Sequence, residues 1–251
     1  MKNTFIILIV GFLLVHPITA NPKKTITFII AEREYKTEQS VPAFAHKNLS
    51  QEFILYFSEA PKEGTSRNIL KNSSAIKNAD LLFISVRRRA FKEKTMNLIR
   101  YHLSLGKPII GIRTTSHAFD LKNSPVPKGH QVWTEWDKKI IGGNYNGHYG
   151  KGKICSIEHF SKLVPHPILQ NVKLPFTTPA TLYKNYPLSK SSTVLLQGRI
   201  KDSPSEPVAW TNRTASKAKV FYTSLGHIED FKKPAFKQLL RNAIKWCLKN
   251  D

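Results

Sequence analysis

Ile26-Thr27-Phe28-Ile29-Ile30 runs almost unbroken in apolar residues, and Leu81-Leu82-Phe83-Ile84 does the same further along the chain. A strand with one wet face alternates apolar and polar residues. A continuous β-branched and aromatic run belongs to a strand covered on both faces, as in a parallel sheet flanked by helices. Working outward from these two, strand-like runs recur at 25–30, 53–57, 81–86, 108–112, 193–197, 207–210 and 220–223. Helical patterns separate the early ones. Ser40 followed by Pro42 reads as a cap and helix start leading through 43–49. The segment 92–105 sets Met96, Ile99 and Leu103 on one face, with Gly106 as its stop. The last helix is the clearest, with Phe236, Leu239, Leu240, Ala243, Ile244, Cys247 and Leu248 at helical spacing. Strand–helix–strand order through residue 112 implies an α/β fold with right-handed crossovers and a mostly parallel central sheet. Residues 120–192 are richer in Gly, Pro, Asn and His and lack periodicity, so they read as an elaboration over the sheet. No internal repeat is visible.

The chain has 251 residues, 41% of them hydrophobic and 10% aromatic, which is enough for a substantial core and excludes global disorder. Residues 1–20 have the form of a secretory signal: Lys2, then an apolar run over 5–15, then Ile18-Thr19-Ala20. That run is too short to span a bilayer. The expected organisation is therefore a signal peptide at 1–20 and a single α/β domain at 21–251, exported to the periplasm or the extracellular space, with no stable membrane span after cleavage. Lys and Arg number 39 against 17 Asp and Glu, a formal net charge of +22. No zinc-finger spacing, aromatic RNA-binding motif or basic helix accompanies that charge, which argues against nucleic acid. A solvated basic surface is the plain explanation, and attraction to an acidic glycan the sharper one. Cys155 and Cys247 make no disulfide framework and no zinc motif, and spacing does not say whether they pair. Cys247 lies on the apolar stripe of the last helix and reads as core.

In an open parallel sheet, ligands bind beyond the carboxyl ends of the strands. The first run ends into Glu32, Glu34 and Tyr35, the third into Arg87-Arg88-Arg89, the fourth into Arg113-Thr114-Thr115-Ser116-His117, and the last into His227 and Asp230. One histidine at such a place usually just bonds to a nearby backbone group. His117 and His227 together, at two strand ends, are read as an acid–base pair. Glu32, Glu34, Tyr35, Arg113 and Asp230 are read as substrate contacts. Gly142-Gly143-Asn144-Tyr145-Asn146-Gly147-His148-Tyr149-Gly150 lacks the Lys-Ser/Thr of a phosphate loop. It reads as a substrate-edging loop carrying Tyr145 and His148, since aromatic faces stack on sugar rings while amides bond hydroxyls. Gly-x-Ser-x-Gly is absent and no serine triad is assignable. A divalent metal is open as a cofactor, with His117, His148, His166 and His227 as possible ligands, but no helical His-x-x-x-His supports it.

The run Lys107-Pro108-Ile109-Ile110-Gly111-Ile112-Arg113-Thr114-Thr115-Ser116-His117-Ala118-Phe119 resembles the signature of the ThuA-like, trehalose-utilisation family. So do Glu34-Tyr35-Lys36-Thr37, the loop over 142–150, His166-Pro167-Ile168-Leu169, Glu206-Pro207-Val208-Ala209-Trp210-Thr211 and Phe221-Tyr222-Thr223-Ser224-Leu225-Gly226-His227. The resemblance implies a three-layer flavodoxin-like fold of the class I glutamine amidotransferase-like superfamily. In amidotransferases of that superfamily the turn reads Gly-x-Cys-x-Gly. Here Gly111-Ile112 leads into Arg113, so the attacking cysteine is absent and a glutaminase is not expected. The resemblance further implies a carbohydrate substrate, a 3-keto disaccharide or related sugar. It leaves open acid–base catalysis, a metal-dependent hydrolase or lyase, and a non-catalytic carbohydrate-binding protein.

Overall fold

The computed structural model describes residues 22–161 and 165–249, so the predicted signal at 1–20 lies outside it. Its principal elements are β1 (Thr25–Ala31), α1 (Thr37–Leu49), β2 (Ile54–Glu59), β3 (Leu81–Val86), α2 (Glu93–Ser104), β4 (Ile109–Ile112), β5 (Cys155–His159), β6 (Phe176–Thr178), β7 (Thr193–Arg199), β8 (Glu206–Arg213), β9 (Lys219–Thr223) and α3 (Pro234–Leu248). The main strands form one nine-stranded sheet in the order β2-β1-β3-β4-β9-β8-β7-β5-β6. From β2 to β9 neighbours are parallel, and from β9 to β6 each pair is antiparallel.

The unbroken apolar runs are explained by where successive side chains go. In β1, Ile26, Phe28 and Ile30 join a core with Val41 and Phe44 of α1 and with Phe236, Leu240 and Ile244 of α3. The alternate positions Ile29 and Ala31 join a second core with Met96, Ile99 and Leu103 of α2. The same alternation sends Leu81 and Phe83 one way, Leu82 and Ile84 the other. The inner strands of the parallel half are therefore coated on both faces, the edge strand β2 leaves Ile54 and Tyr56 exposed, and three layers result.

Two local expectations change. Helix α1 begins at Thr37, after Lys36 in the left-handed region (φ 54°), which puts Pro42 in the second turn and makes Ser40 helical instead of a cap. The buried Thr37 fixes this start, because its Oγ1 accepts a 2.9 Å hydrogen bond from Ser85 Oγ of β3. Pro42 then gives up one helical hydrogen bond. The segment 120–192 also does more than lie over the sheet. Its strands β5 and β6 extend the antiparallel half, with Cys155 and Ile157 buried in alternation. Both cysteines are free and buried.

Candidate active site

The chain leaves β4 through a sharp turn. Arg113 takes φ 48°, and the next residues wind into a tight helical turn over Arg113–His117. Thr114 Oγ1 donates to Val86 O at 3.1 Å, and Thr115 Oγ1 to Ile84 O at 2.7 Å, which pins the turn to the end of β3. Gly111 is required by crowding: a Cβ there would lie 2.9 Å from Thr115 Cγ2.

Arg113 points beneath the rim and is only 1% exposed. Its Nη1 donates to Thr181 O (3.0 Å) and Ser224 O (2.7 Å), and its Nη2 to Thr181 Oγ1 (2.8 Å) and Tyr35 Oη (3.2 Å). The guanidinium also lies over the rings of Tyr183 (4.1 Å) and Tyr35 (4.6 Å), a cation–π arrangement out of water. On the far side of Tyr35 sits His227, ring centroids 5.9 Å apart. Asp230 Oδ2 accepts from the backbone N–H groups of Gly226 and His227, so Asp230 shapes the loop that carries His227. Glu32 is likewise buried, its carboxylate accepting from the N–H groups of Glu34 and Tyr35. Glu34 pairs with Arg87 at 2.7 Å.

His117 and Tyr145 are the predicted residues that line a cavity. The His117 ring stacks on Tyr145 (4.4 Å, 23°) and lies 6.0 Å from Tyr183. Ser116 Oγ sits 3.0 Å from Nδ1, so Nε2 remains for the cavity. Burial, reinforced by Arg88, Arg87, Arg113 and Lys122, holds its pKa well below the usual histidine value. The imidazole is therefore neutral at neutral pH. The glycine-rich loop does reach this place. A short antiparallel ladder pairs Tyr183 with His148, placing His148 6.5 Å from the Tyr183 ring and Tyr145 4.6 Å from it.

The cavity has a volume of about 390 Å³, within the range of small-ligand sites. Arg88, His117, Trp133, Asp137, Asn144 and Tyr145 are among its walls. Asp137 was not legible as a site residue. One oxygen, Oδ2, accepts from Tyr145 N–H at 2.6 Å, while the buried Oδ1 has no hydrogen-bond partner among the described residues. Burial pushes its carboxyl up to about 7, against the weaker downward pull of that N–H and of Lys138. Trp133 was equally missed as a cavity residue, Arg88 had been placed at its strand end without an assigned role, and Tyr183, whose ring lies against His117 and Tyr145, was missed as part of the rim. The one signal that could have found the first wall was Trp133-Thr134-Glu135-Trp136-Asp137, two tryptophans and two acids in a segment with no periodicity to account for them.

The rim thus gathers Arg113, His117, Tyr145 and His148 around Tyr183, with Tyr35 on the same guanidinium and His227 against Tyr35. The four histidines considered for a metal do not converge. His166 lies elsewhere, against Trp246 (5.6 Å), its Nδ1 accepting from Ile168 N–H. Among the described residues no three His, Cys, Asp or Glu side chains are grouped to hold a metal ion.

The family model described as trehalose utilisation, ThuA, matches residues 26–247. The chain belongs to the ThuA family. A carbohydrate-related role goes with that membership, and the resemblance first carried by the 107–119 run is established. No curated protein sequence matches the chain. Among solved structures, a ThuA-like protein from Bacteroides uniformis is 18% identical, with 94% of this chain and 96% of that one covered and a TM-score of 0.65. One from Parabacteroides merdae is 15% identical, with 91% of each chain covered and a TM-score of 0.61. At such identities the likeness speaks for the fold, and the flavodoxin-like ThuA architecture is the one described above. No helix among the described residues is long and apolar enough to cross a membrane.

Proposed function

We propose that this chain is an exported protein that performs acid–base chemistry on an oxidised sugar, a 3-keto disaccharide or a close relative. The observation that best supports this reading is the neutral His117, presenting Nε2 to a polar cavity walled by tryptophan and tyrosine. A carbonyl acidifies the C–H beside it, and a neutral imidazole is the base such a C–H needs. Removing that proton leaves an enediolate, whose oxygen needs positive charge or hydrogen-bond donors. Arg113, read from the sequence as a substrate contact, is held under the rim by its four hydrogen bonds; Arg88, in the cavity wall, supplies that charge in this proposal. Asp137, protonated up to about pH 7, returns a proton to a departing oxygen or to the neighbouring carbon. His227 remains a second titratable group on the same rim, reached across Tyr35. Glu32 and Asp230 serve as loop-shaping residues, and Glu34, Tyr35 and His148 border the approach.

The test is an NMR time course of the protein with 3-keto disaccharides and their unoxidised parents, with and without EDTA. Conversion of the keto sugars alone, lost in His117→Ala, is the expected result. Full activity in a His117→Ala, His227→Ala double variant would overturn the acid–base assignment. Loss of turnover on chelation would move the reading to a metal-assisted hydrolase or lyase.

A second reading has its own support. The turn where the resembled amidotransferases keep their nucleophile holds a buried arginine whose two Nη atoms are spent on the protein's own oxygens, which suits a non-catalytic carbohydrate-binding protein built on the same fold. Line broadening of sugars without conversion would decide for it.

A further inference from the structure

The arginine triplet after β3 divides its labour. Arg89 is fully buried and structural: Nε donates to Ala31 O (2.9 Å), Nη1 to Arg67 O (2.8 Å) and Nη2 to Lys62 O (3.0 Å). It thereby ties the loop that carries Arg67 to the carboxyl end of the sheet. Arg87 and Arg88 instead face a second cavity, of about 340 Å³, together with Arg33 and Arg67. No carboxylate lines it. The acids nearby act from outside: Glu34 pairs with Arg87, Glu63 acts on Arg67 and Asp120 on Arg88. The pKa of Arg67 is lowered by burial first and then by Arg33 and Arg87, so the cluster is mutually repulsive. Arg67 Nε and Arg87 Nε are buried without an acceptor among the described residues. Four arginine side chains line one hollow whose remaining wall is part apolar, a grouping that suits a planar or tetrahedral oxyanion.

Arg88 is also a wall of the His117 cavity. Its backbone takes φ 48°, and its Nη1 donates to Asp120 O at 3.0 Å. The two cavities therefore meet at one side chain. We propose that the arginine cavity binds an oxyanionic substituent on a sugar, so that the molecule lies across both hollows. Its ring packs against Trp133 and Tyr145, and its charged group is held by Arg33, Arg67 and Arg87. The substrate class is then an acidic sugar, carrying a sulfate ester, phosphate ester or carboxylate. This proposal rests on the His117 cavity being the sugar site, but it makes a claim about binding that stands apart from turnover.

The experiment is calorimetric titration of the full chain with glucose, glucose 6-sulfate, glucose 6-phosphate and glucuronic acid, and with inorganic sulfate and phosphate alone. An Arg33→Ala, Arg67→Ala double variant is compared with a Lys190→Ala, Lys201→Ala variant, which removes equal charge from exposed positions elsewhere. Binding of at least one acidic sugar more tightly than glucose is expected. The arginine variant should lose about tenfold or more, as for one charge-assisted pair, while the lysine variant stays near wild type. The strongest of the three sugars identifies the ester or the carboxylate. Should Arg67→Ala unfold the loop, Arg33→Ala with Arg87→Met repeats the test. Equal losses in the arginine and lysine variants, binding of inorganic anions without any preference for acidic sugars, or equal affinity for glucose and its acidic derivatives would each overturn the proposal. Acidic-sugar binding without conversion of any keto sugar would leave this proposal standing and refute the catalytic one; turnover of neutral keto sugars without charge preference would do the reverse.

Discussion

Replacing Asp137 by Asn is expected to stabilise the protein at alkaline pH and to do almost nothing in acid. The carboxyl is pushed up to about 7 by burial, whereas an unfolded aspartate titrates near about 3.9. Below the unfolded value the group is neutral in both states and contributes no difference. Between the two values the unfolded chain releases the proton and the folded one retains it, so folding stability falls as pH rises. Above the folded value the charge is forced on a carboxylate whose Oδ1 has no partner. Three pH units at 1.36 kcal/mol each give a total loss of about 4 kcal/mol by pH 8. Asparagine has nearly the same shape, can still accept from Tyr145 N–H, and never ionises. Urea unfolding of both proteins from pH 4 to 8 should therefore show near-equal stability at pH 4 and a gap in favour of Asp137→Asn that widens up to about pH 7 and then levels off. His102, which burial lowers to about 4, makes both proteins more stable as pH rises from 4 to 6.5 and cancels in the difference. Parallel curves would show that Asp137 is not the protonated carboxyl that the proposed acid requires. If it is, the same substitution should abolish proton return and lower turnover while raising stability, as expected where a functional site is held in an unfavourable state.

Three further outcomes are expected. Arg89→Met should cost about 1–3 kcal/mol in urea unfolding, because the carbonyls of Ala31, Arg67 and Lys62 each lose a donor, and hydrogen exchange should quicken over 60–69 before the rest of the chain. Gly143→Ala should cost about 1–3 kcal/mol, since the new Cβ would lie 2.9 Å from Asp137 Oδ1 and 3.0 Å from Trp210 Cζ2; unchanged melting would show that the loop gives way freely. Both cysteines should resist a thiol reagent until the protein is unfolded, because burial pushes the Cys155 thiol up to about 11 and that of Cys247 higher still.

What was legible follows from the range of the interactions. The parallel half of the sheet is written locally, in apolar runs whose alternate residues feed two cores, and α2 and α3 are written in spaced stripes. The antiparallel extension was not, because β5 has only Cys155 and Ile157 as buried anchors and gains its place by pairing with β7. At the site, strand-end logic brought Tyr35, Arg113, His117 and His227 to one rim, and the glycine-rich loop arrived with Tyr145 and His148. Roles were harder to read than places. Glu32 and Asp230 looked like ligand contacts, yet each uses its carboxylate to cap its own loop, a bond that depends on backbone direction. Asp137 was invisible because its unusual acidity comes entirely from burial, which no local pattern encodes.

Arg113 shows how the fold can keep a turn and change its use. A non-glycine residue in the left-handed region costs of order 1 kcal/mol or more, so something must hold it there. In a nucleophile turn that strain presents a side chain to substrate. Here Tyr222 Oη donates to Arg113 O, Leu225 O accepts from Arg113 N–H, and the guanidinium crosses beneath the rim to Thr181, Ser224 and Tyr35. One side chain therefore joins the loops after β1, after β4 and after β9 to the segment that carries Tyr183. Removing it would loosen four walls together, whereas a cysteine in its place would reach none of them. In the proposed reading the chemistry sits elsewhere on the same turn. His117, at the end of the turn that Arg113 begins, lines the cavity beside Ser116 and is the titratable residue the turn presents there.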